Sequence, residues 1–489
     1  MSDRLLWPKG LVGGKYRPLS DDRIGRIHET SLRVLEEVGI DVQLDEAREI
    51  FAAGGADVDE DDCRVRIKPH LVEEAVENAP INVRLCGREE AYDVVAEGRR
   101  TYFGTGGAAT QVIDLETGKC RASRLQDIAD LARLADALPN IHFFVRPCAA
   151  RDVDSEDLAV NEFYAALANT ERHVIGAAYT PEGAKQVAEM AKMVAGSEKA
   201  LLERPLISFI VSLINSPLTF DSTAARTLIE VARTNLPVTL SAAPMAGSTS
   251  PVTLAGTLVQ LHAEELAGIV FTQFVNPGIP VIYGGIPSMA DMRRLSYIGG
   301  AVEYGMMNAA IAQMSRYLDV PVYNSAGVTE SKEPDVQAVY EKSFAVLQCA
   351  LAGSNCVHHA AGMLESLLTV SAEQMVIDDE IIAMARRAIR GIEVTGDRLA
   401  FDVIQAVGPG GNYLTQEHTM RYLRGEFLEP ALADRNMRER WEQSGMKGVR
   451  EKANEKARNI LKEAKDQPPF IPDEADSRIR EQFNILLER

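Results

Sequence analysis

The chain has 489 residues, 46% of them apolar, and a formal charge of −19. That is enough apolar material for a large core, and Lys and Arg form no stripe outside the C-terminal segment, which argues against a phosphate-neutralising nucleic-acid surface. No run reaches the ~18 apolar residues of a membrane span, and the opening MSDRLLWPKGLVGG lacks the apolar stretch and cleavage site of a secretion signal. A cytoplasmic protein is the expectation. Cys63, Cys86, Cys120, Cys148, Cys349 and Cys356 show no CxxC spacing and read as reduced thiols.

Residues 1–100 read as an α+β cap. DDRIGRIHETSLRVLEEVGIDV repeats apolar residues at helical spacing up to Gly39, and CRVRI (63–67) and INVRL (81–85) alternate with the period of half-buried strands. From residue 101 short runs rich in Gly, Ala and β-branched residues alternate with amphipathic stretches of ~12–25 residues. The runs are TYFGTGG (101–107), IHFFVRPCAA (141–150), RHVIGAAY (172–179) and PLISFIVSLIN (205–215). They continue with PVTLSAAPMA (237–246), PVIYGGIP (280–287), PVYNSAGV (321–328) and CVHHAAGMLE (356–365). Eight βα units over 101–392 predict an α/β fold of the TIM (β/α)8 barrel type. A doubly wound sheet is the rival, but GTGG at 104–107 lacks the full phosphate-turn fingerprint.

Residues 393–489 read as a C-terminal helical extension with a mouth segment. Gly408–Gly411 form a turn, TQEHTMRYL restarts a helix, and RNMRERWEQSG and REKANEKARNILKEAK are charged helical stretches. DQPPFIPDEADS (466–477) is a strap before a short final helix. Charged helices and a large barrel suggest a homo-oligomer.

A barrel places its site where strands end. The candidates there are Tyr102, Thr105, Arg146, Arg151, Tyr179, Asn215, Met245, Tyr283, Asn324, Ser325, Thr329, Glu330, His358, His359 and Glu365. They include no lysine for a Schiff base, and no G-x-S-x-G elbow is present. No catalytic residue stands out as certain. Cys356, His358 and His359 could be zinc ligands, and a zinc-assisted methyl transfer is one alternative. Neighbours on a regular strand face opposite sides, however, so 358 and 359 cannot both point inward. The ligand set stays short, and no bound metal is expected. One histidine then packs outward, and the other lines the interior as a neutral donor to a carboxylate. Aromatic side chains near strand ends, Tyr102, Phe103, Phe209, Tyr283 and Tyr323, offer π faces to a cation that cannot donate a hydrogen bond.

YNSAGVTESKEPDVQAVYEKSFAVLQCALAGSNCVHHAAGMLES and GPGGNYLTQEHTMRYL resemble the trimethylamine methyltransferase family, with similarity along nearly the whole chain. The resemblance implies a TIM barrel and methyl transfer to the cobalt of a corrinoid (cobalamin) carried by a cognate corrinoid protein. Family members that demethylate trimethylamine carry pyrrolysine; this chain uses only standard residues and so resembles the branch acting on glycine betaine and other betaines. The implied substrate site is a cage of Tyr102, Phe209 and Tyr283, with His359 first, then His358 and Asn215, and less directly Arg146, toward the betaine carboxylate; Glu365 is a further substrate-binding candidate. The stretch with Gly408, Gly410, Gly411 and His418 is expected to shape the mouth or dock the corrinoid partner, its plainer reading being a helix-capping turn. No D-x-H-x-x-G segment is present to hold the corrinoid within this chain. A betaine-binding protein without turnover is the remaining alternative.

Overall fold

This computed structural model describes residues 10–294, 296–465 and 467–488. The first nine residues, read above for a secretion signal, and Asp466 of the strap lie outside the described residues.

Each of the eight sequence runs contains a strand. These are β1 (Arg100–Phe103), β2 (Phe143–Val145), β3 (His173–Ala177), β4 (Ile207–Val211), β5 (Val238–Leu240), β6 (Val281–Ile282), β7 (Tyr323–Ser325) and β8 (Cys356–His358). A helix follows each: α1 (Leu125–Ala137), α2 (Leu158–Asn169), α3 (Pro181–Ala195), α4 (Ser222–Arg233), α5 (Leu254–Val275), α6 (Val302–Tyr317), α7 (Val336–Ala352) and α8 (Ala372–Arg390). Strands β2 to β6 pair in parallel as one sheet, and β7, β8 and β1 pair in parallel as another. Single parallel bridges, Gly104 to Phe143 and Tyr283 to Val322, link the two sheets. The fold is therefore α/β, with strands in parallel.

The helices start where the sequence supplies acceptors. Thr180, Asp221, Thr253, Asp335 and Ser371 each take a backbone N–H from the first turn of α3, α4, α5, α7 and α8. Alternate strand residues then part company. Ile207, Phe209 and Val211 join the main core against the helices, whereas Tyr102, Phe143, Val145, Ile175, Ile282, Tyr323 and Cys356 form a second apolar cluster. The hairpin Val83–Leu85/Val94–Ala96 packs into this second cluster. It enters from the strands' starting end, where Cys86 and Pro205 carbonyls meet His173 Nδ1 at 3.1 Å. Each large apolar side chain buried in these layers contributes about 1.5–3 kcal/mol.

Helix α5 is buried on nearly every face. The N-terminal helices Asp21–Arg33, Asp45–Ala53 and Pro69–Asn78 cover the side that the strands do not. Helix α8 runs antiparallel to the strands. Its Asp378 reaches Gly362, just beyond β8, whereas Asp379 and Arg386 hold Asn140, just before β2, and Ile389 O accepts from Lys15. Beyond it come α9 (Gly396–Leu399), α10 (Phe401–Val407), α11 (Glu417–Glu426), α12 (Arg438–Gln443), α13 (Val449–Ala464), which packs on α8 and α1, and α14 (Asp473–Gln482). No described helix is long and apolar enough to cross a membrane.

Candidate active site at the strand ends

Strand β8 ends at His358 because His359 takes φ +58°. There the His359 N–H donates to Thr105 O at 3.3 Å and the Ala360 N–H to Gly104 O at 3.1 Å. Gly327 passes so close that a Cβ on it would lie 2.7 Å from His359 O. The left-handed residue breaks strand alternation. Instead of one histidine turning out to the helices, the two rings lie with centroids 3.7 Å apart. The expectation that they face opposite sides is corrected.

His358 Nδ1 is 2.7 Å from Asn324 O, and a carbonyl only accepts, so Nδ1 carries the hydrogen and Nε2 the lone pair. Its ring stacks on Tyr323 at 4.1 Å. Burial pulls its pKa down to about 3. His359 Nδ1 is 2.7 Å from Ser325 Oγ, and that oxygen already accepts from the Tyr304 hydroxyl. The serine hydrogen has no other acceptor among the described residues, so it is satisfied only by pointing at Nδ1, which leaves Nε2–H of His359 as a donor. Burial first, then His358 and Lys342, push the His359 pKa well below its ordinary value. Both imidazoles are neutral at pH 7.

A buried ion pair braces this turn. Lys342 Nζ lies 3.1 Å from Asp378 Oδ2 and donates to Met363 O at 2.8 Å and to Gly327 O. Asp378 accepts the Gly362 N–H at 2.7 Å and Gln374 Nε2 at 2.8 Å. Burial works against both charges, and this full set of partners offsets it. On the other side Gly106, at φ +151°, leaves room for the rings: a Cβ there would meet His358 Cδ2 at 3.1 Å and His359 Cδ2 at 3.2 Å.

Glu365, Ser366 and Leu367 follow with φ of 49°, 51° and 75°, a left-handed turn without glycine. Each such residue costs about 1–2 kcal/mol. The Glu365 N–H donates to Ser331 O at 2.7 Å, the Ser366 N–H to Thr329 O at 2.8 Å, and Thr369 Oγ1 to Glu365 Oε2 at 2.8 Å. Strain of this kind collects at functional mouths.

The expected aromatic cage is not assembled. Phe209 packs on Phe163 of α2, and the Tyr283 hydroxyl lies 3.0 Å from His262 Nδ1 of α5, because Phe209 on β4 and Tyr283 just past β6 face the helices. Tyr102 is interior but pairs with Cys356, below the histidines, and its hydroxyl accepts the Val95 N–H at 3.4 Å. Arg146 is engaged with Glu162 at 2.8 Å and lies over Tyr179. Asn215 is exposed in the hairpin Ile214–Asn215/Thr219–Phe220, 3.3 Å from Asp221. Gly408, Gly410, Gly411 and His418 are exposed and belong to a stretch tied to the last turn of α8 through Arg387, Arg390 and Glu426. That is the end of α8 remote from the histidines, so they do not shape this chain's own mouth.

Two contributors escaped the sequence reading. Tyr304 stands in the first turn of α6, and VEYGMMN looks like plain core. Lys342 in YEKSFAV looks like a surface lysine, yet it is fully buried. Cys356 belongs to the inner apolar cluster, where burial pushes its thiol up to about 12. Among the described residues no three or more His, Cys, Asp or Glu side chains are grouped to hold a metal ion. A cavity of about 480 Å³ lies at the strands' starting end, lined by Arg99, Arg100, Arg316 and Asn355, and not at the histidines.

Parallel strands each followed by a helix, with two neutral imidazoles side by side at the strand ends, define an α/β protein. The chain belongs to the trimethylamine methyltransferase (MTTB) family, whose model matches residues 8–484, and it is an amine methyltransferase of class EC 2.1.1. It is 36% identical to the trimethylamine methyltransferase MttB of Desulfitobacterium hafniense over 96% of this chain and 93% of the relative. It is 34% identical to a glycine betaine methyltransferase of another strain of that species, over 95% and 96%, and 34% identical to MttB of Methanosarcina thermophila, over 94% and 95%. Among solved structures, the hydroxylamine MtmB complex aligns with a TM-score of 0.47 at 13% identity, covering 93% of this chain and 96% of that one.

Proposed function

We propose that this chain removes a methyl group from a quaternary amine, glycine betaine first among candidates, for delivery to a corrinoid protein. A corrinoid held by that separate partner supplies the acceptor, a Co(I) nucleophile. The small residues ending β1 and β8, from Gly104 to Gly107 and Ala360 to Gly362, suit a flat macrocycle presented from outside. We read the eight strands as a closed TIM barrel, supported by the two single bridges between the sheets, with residues 1–100 as a cap and 393–489 as an extension.

The choice of an onium substrate rests on leaving-group chemistry. The C–N bond breaks with its electron pair staying on nitrogen. A neutral tertiary amine would leave as an amide anion, whereas a quaternary ammonium leaves as a neutral tertiary amine. A chain written in standard residues therefore needs no acid at nitrogen, only orientation and exclusion of water.

The observation that carries this reading is the donor direction at His359. Its Nε2–H suits a betaine carboxylate, while His358, stacked on Tyr323, offers a π face and a lone pair without a competing positive charge. The 34% identity to a glycine betaine methyltransferase supports the same choice.

The test incubates the protein with cob(I)alamin and, separately, glycine betaine, proline betaine, carnitine, γ-butyrobetaine and trimethylamine. Loss of cob(I)alamin absorbance and release of the demethylated amine are followed. Turnover with one or more betaines is the expected result. Turnover with trimethylamine alone, activity only after zinc is added, or betaine binding without turnover would overturn it.

A further inference from the structure

The cavity of about 480 Å³ at the strands' starting end lies apart from the histidine site. Its walls include Val320, Pro321 and Asn355, which precede β7 and β8, whereas the far ends of those strands carry Ser325 and His358. The volume falls among ordinary small-ligand pockets, which span ~300–1,000 Å³.

Two guanidiniums lining it have no counter-ion. Arg316, in the last turn of α6, donates Nη1 to Gly353 O at 3.1 Å and pairs with no carboxylate among the described residues. Arg99 meets it at the same glycine: a Cβ on Gly353 would lie 3.0 Å from Arg99 Cβ, and one on Gly14 would lie 2.4 Å from Arg99 Cδ. The Arg99 side chain makes no hydrogen bond or ion pair among the described residues. Burial pulls the Arg316 pKa down to about 10, and the charges that add to this are Arg99 and Arg17, both positive. Arg17 is answered by Asp21, and Arg100 by Glu97 at 3.2 Å. Asp319 also lines the cavity but pairs with neither free arginine. In a chain of charge −19, two unanswered arginines converging on one glycine repel each other and destabilise the empty protein.

The frame around them is fixed. Asn355 Nδ2 donates to the carbonyls of Glu97, Gly98 and Arg100 at 3.0, 3.4 and 3.1 Å, and the Gly13 N–H donates to Arg99 O at 2.9 Å. These bonds use every carbonyl of the 97–100 turn.

We propose that this cavity binds a small phosphorylated molecule, its dianionic phosphate held between Arg99 and Arg316 and its uncharged body along Val12, Ile81, Val320 and Pro321. Guanidinium forks match phosphate oxygens bidentately, and two positive charges match a dianion. Val12 and Ile81 are 58% and 68% exposed, an apolar strip beside the charges that a bare inorganic anion would leave uncovered. The site is separate from that of methyl transfer, and the proposal does not rest on which amine is the substrate.

The test titrates the full chain with inorganic phosphate, AMP and succinate by calorimetry at low ionic strength. One AMP binds per chain, and inorganic phosphate and succinate each bind more weakly. Arg99→Gln weakens AMP by about tenfold or more, the loss of one charge-assisted hydrogen bond, and Arg99→Gln with Arg316→Gln abolishes binding. Without added anion, Arg99→Gln melts no lower than the parent, because a repulsive neighbour has gone. If the double variant does not fold, Arg99→Gln decides, since that side chain bonds to nothing in the protein. Absence of saturable binding by either phosphate compound, an AMP affinity that Arg99→Gln leaves intact, or succinate binding as tightly as AMP overturns the proposal.

Discussion

The Nδ1 atom of His359 lies 2.7 Å from the Ser325 hydroxyl on the neighbouring strand, and Tyr304 donates to that same hydroxyl. A residue on α6 thereby decides which edge of the imidazole on the β8 turn is left free as a donor, the edge proposed above to meet the substrate. The chain Tyr304, Ser325, His359 has one sense, and it ends in a donor.

His359→Ala removes that donor. Losing one hydrogen bond to a charged group costs about 1.5–3 kcal/mol, so kcat/KM for the betaine falls by roughly 10- to 150-fold, mostly through KM. His359→Gln, whose amide can still donate, recovers part of the loss. Steady-state kinetics of both variants beside thermal melts separate a binding effect from unfolding. Unchanged kinetics in the alanine variant would remove His359 from the site.

The buried histidines set an acid limit on stability. Burial depresses His173 to about 4 and His262 to about 3. The unfolded chain takes up these protons below pH ~6.5 and the folded chain does not. Stability therefore falls as pH drops from about 6.5 to 4, by about 1.4 kcal/mol per pH unit for each such histidine. Glu265, which burial raises to about 8, works in the opposite sense, since its folded form holds the extra proton between about pH 4.5 and 8. Urea unfolding of the parent and of His262→Gln at pH 7, 6 and 5 isolates one histidine. The variant's stability declines less steeply toward acid. Parallel curves would contradict the assignment.

Lys342→Met strands Asp378 without its partner and costs about 3–5 kcal/mol. Lys342→Met with Asp378→Asn recovers part of that, because no uncompensated charge remains. Denaturant midpoints measure both. A single variant as stable as the parent would show that the pair is not a brace.

Gly106→Ala pushes a methyl group against both histidine rings, at 3.1 and 3.2 Å, in a backbone region that L side chains avoid. Expected are a loss of more than tenfold in kcat/KM and a stability loss of about 1–3 kcal/mol from overpacking, with the rings' NMR shifts moved. Gly118→Ala, which has nothing within 4 Å of its added Cβ, is the control for left-handed backbone strain alone.

The alternation of short apolar runs with helical stretches carried the order of elements, because the periods of strand and helix are imprinted on local residues. PVYNSAGV, for instance, contains β7, and its alternation turns Tyr323 and Ser325 to one face. The site was less accessible. Nothing local marks His359 as left-handed; that follows from Thr105, Gly104 and Gly327 arriving from elsewhere in the chain. Phe209 and Tyr283 stand near strand ends as read, but which face they occupy depends on register. Lys342 is buried only because two carbonyls and Asp378 converge on it.

Helix α5 is buried around nearly its whole circumference, and its outer flank is roofed by residues before position 80. An excised fragment beginning near residue 101 would keep every strand of the parallel sheets, yet expose that flank to water. The roof formed by the N-terminal helices is thus part of what keeps the longest helix of the parallel-strand region out of water.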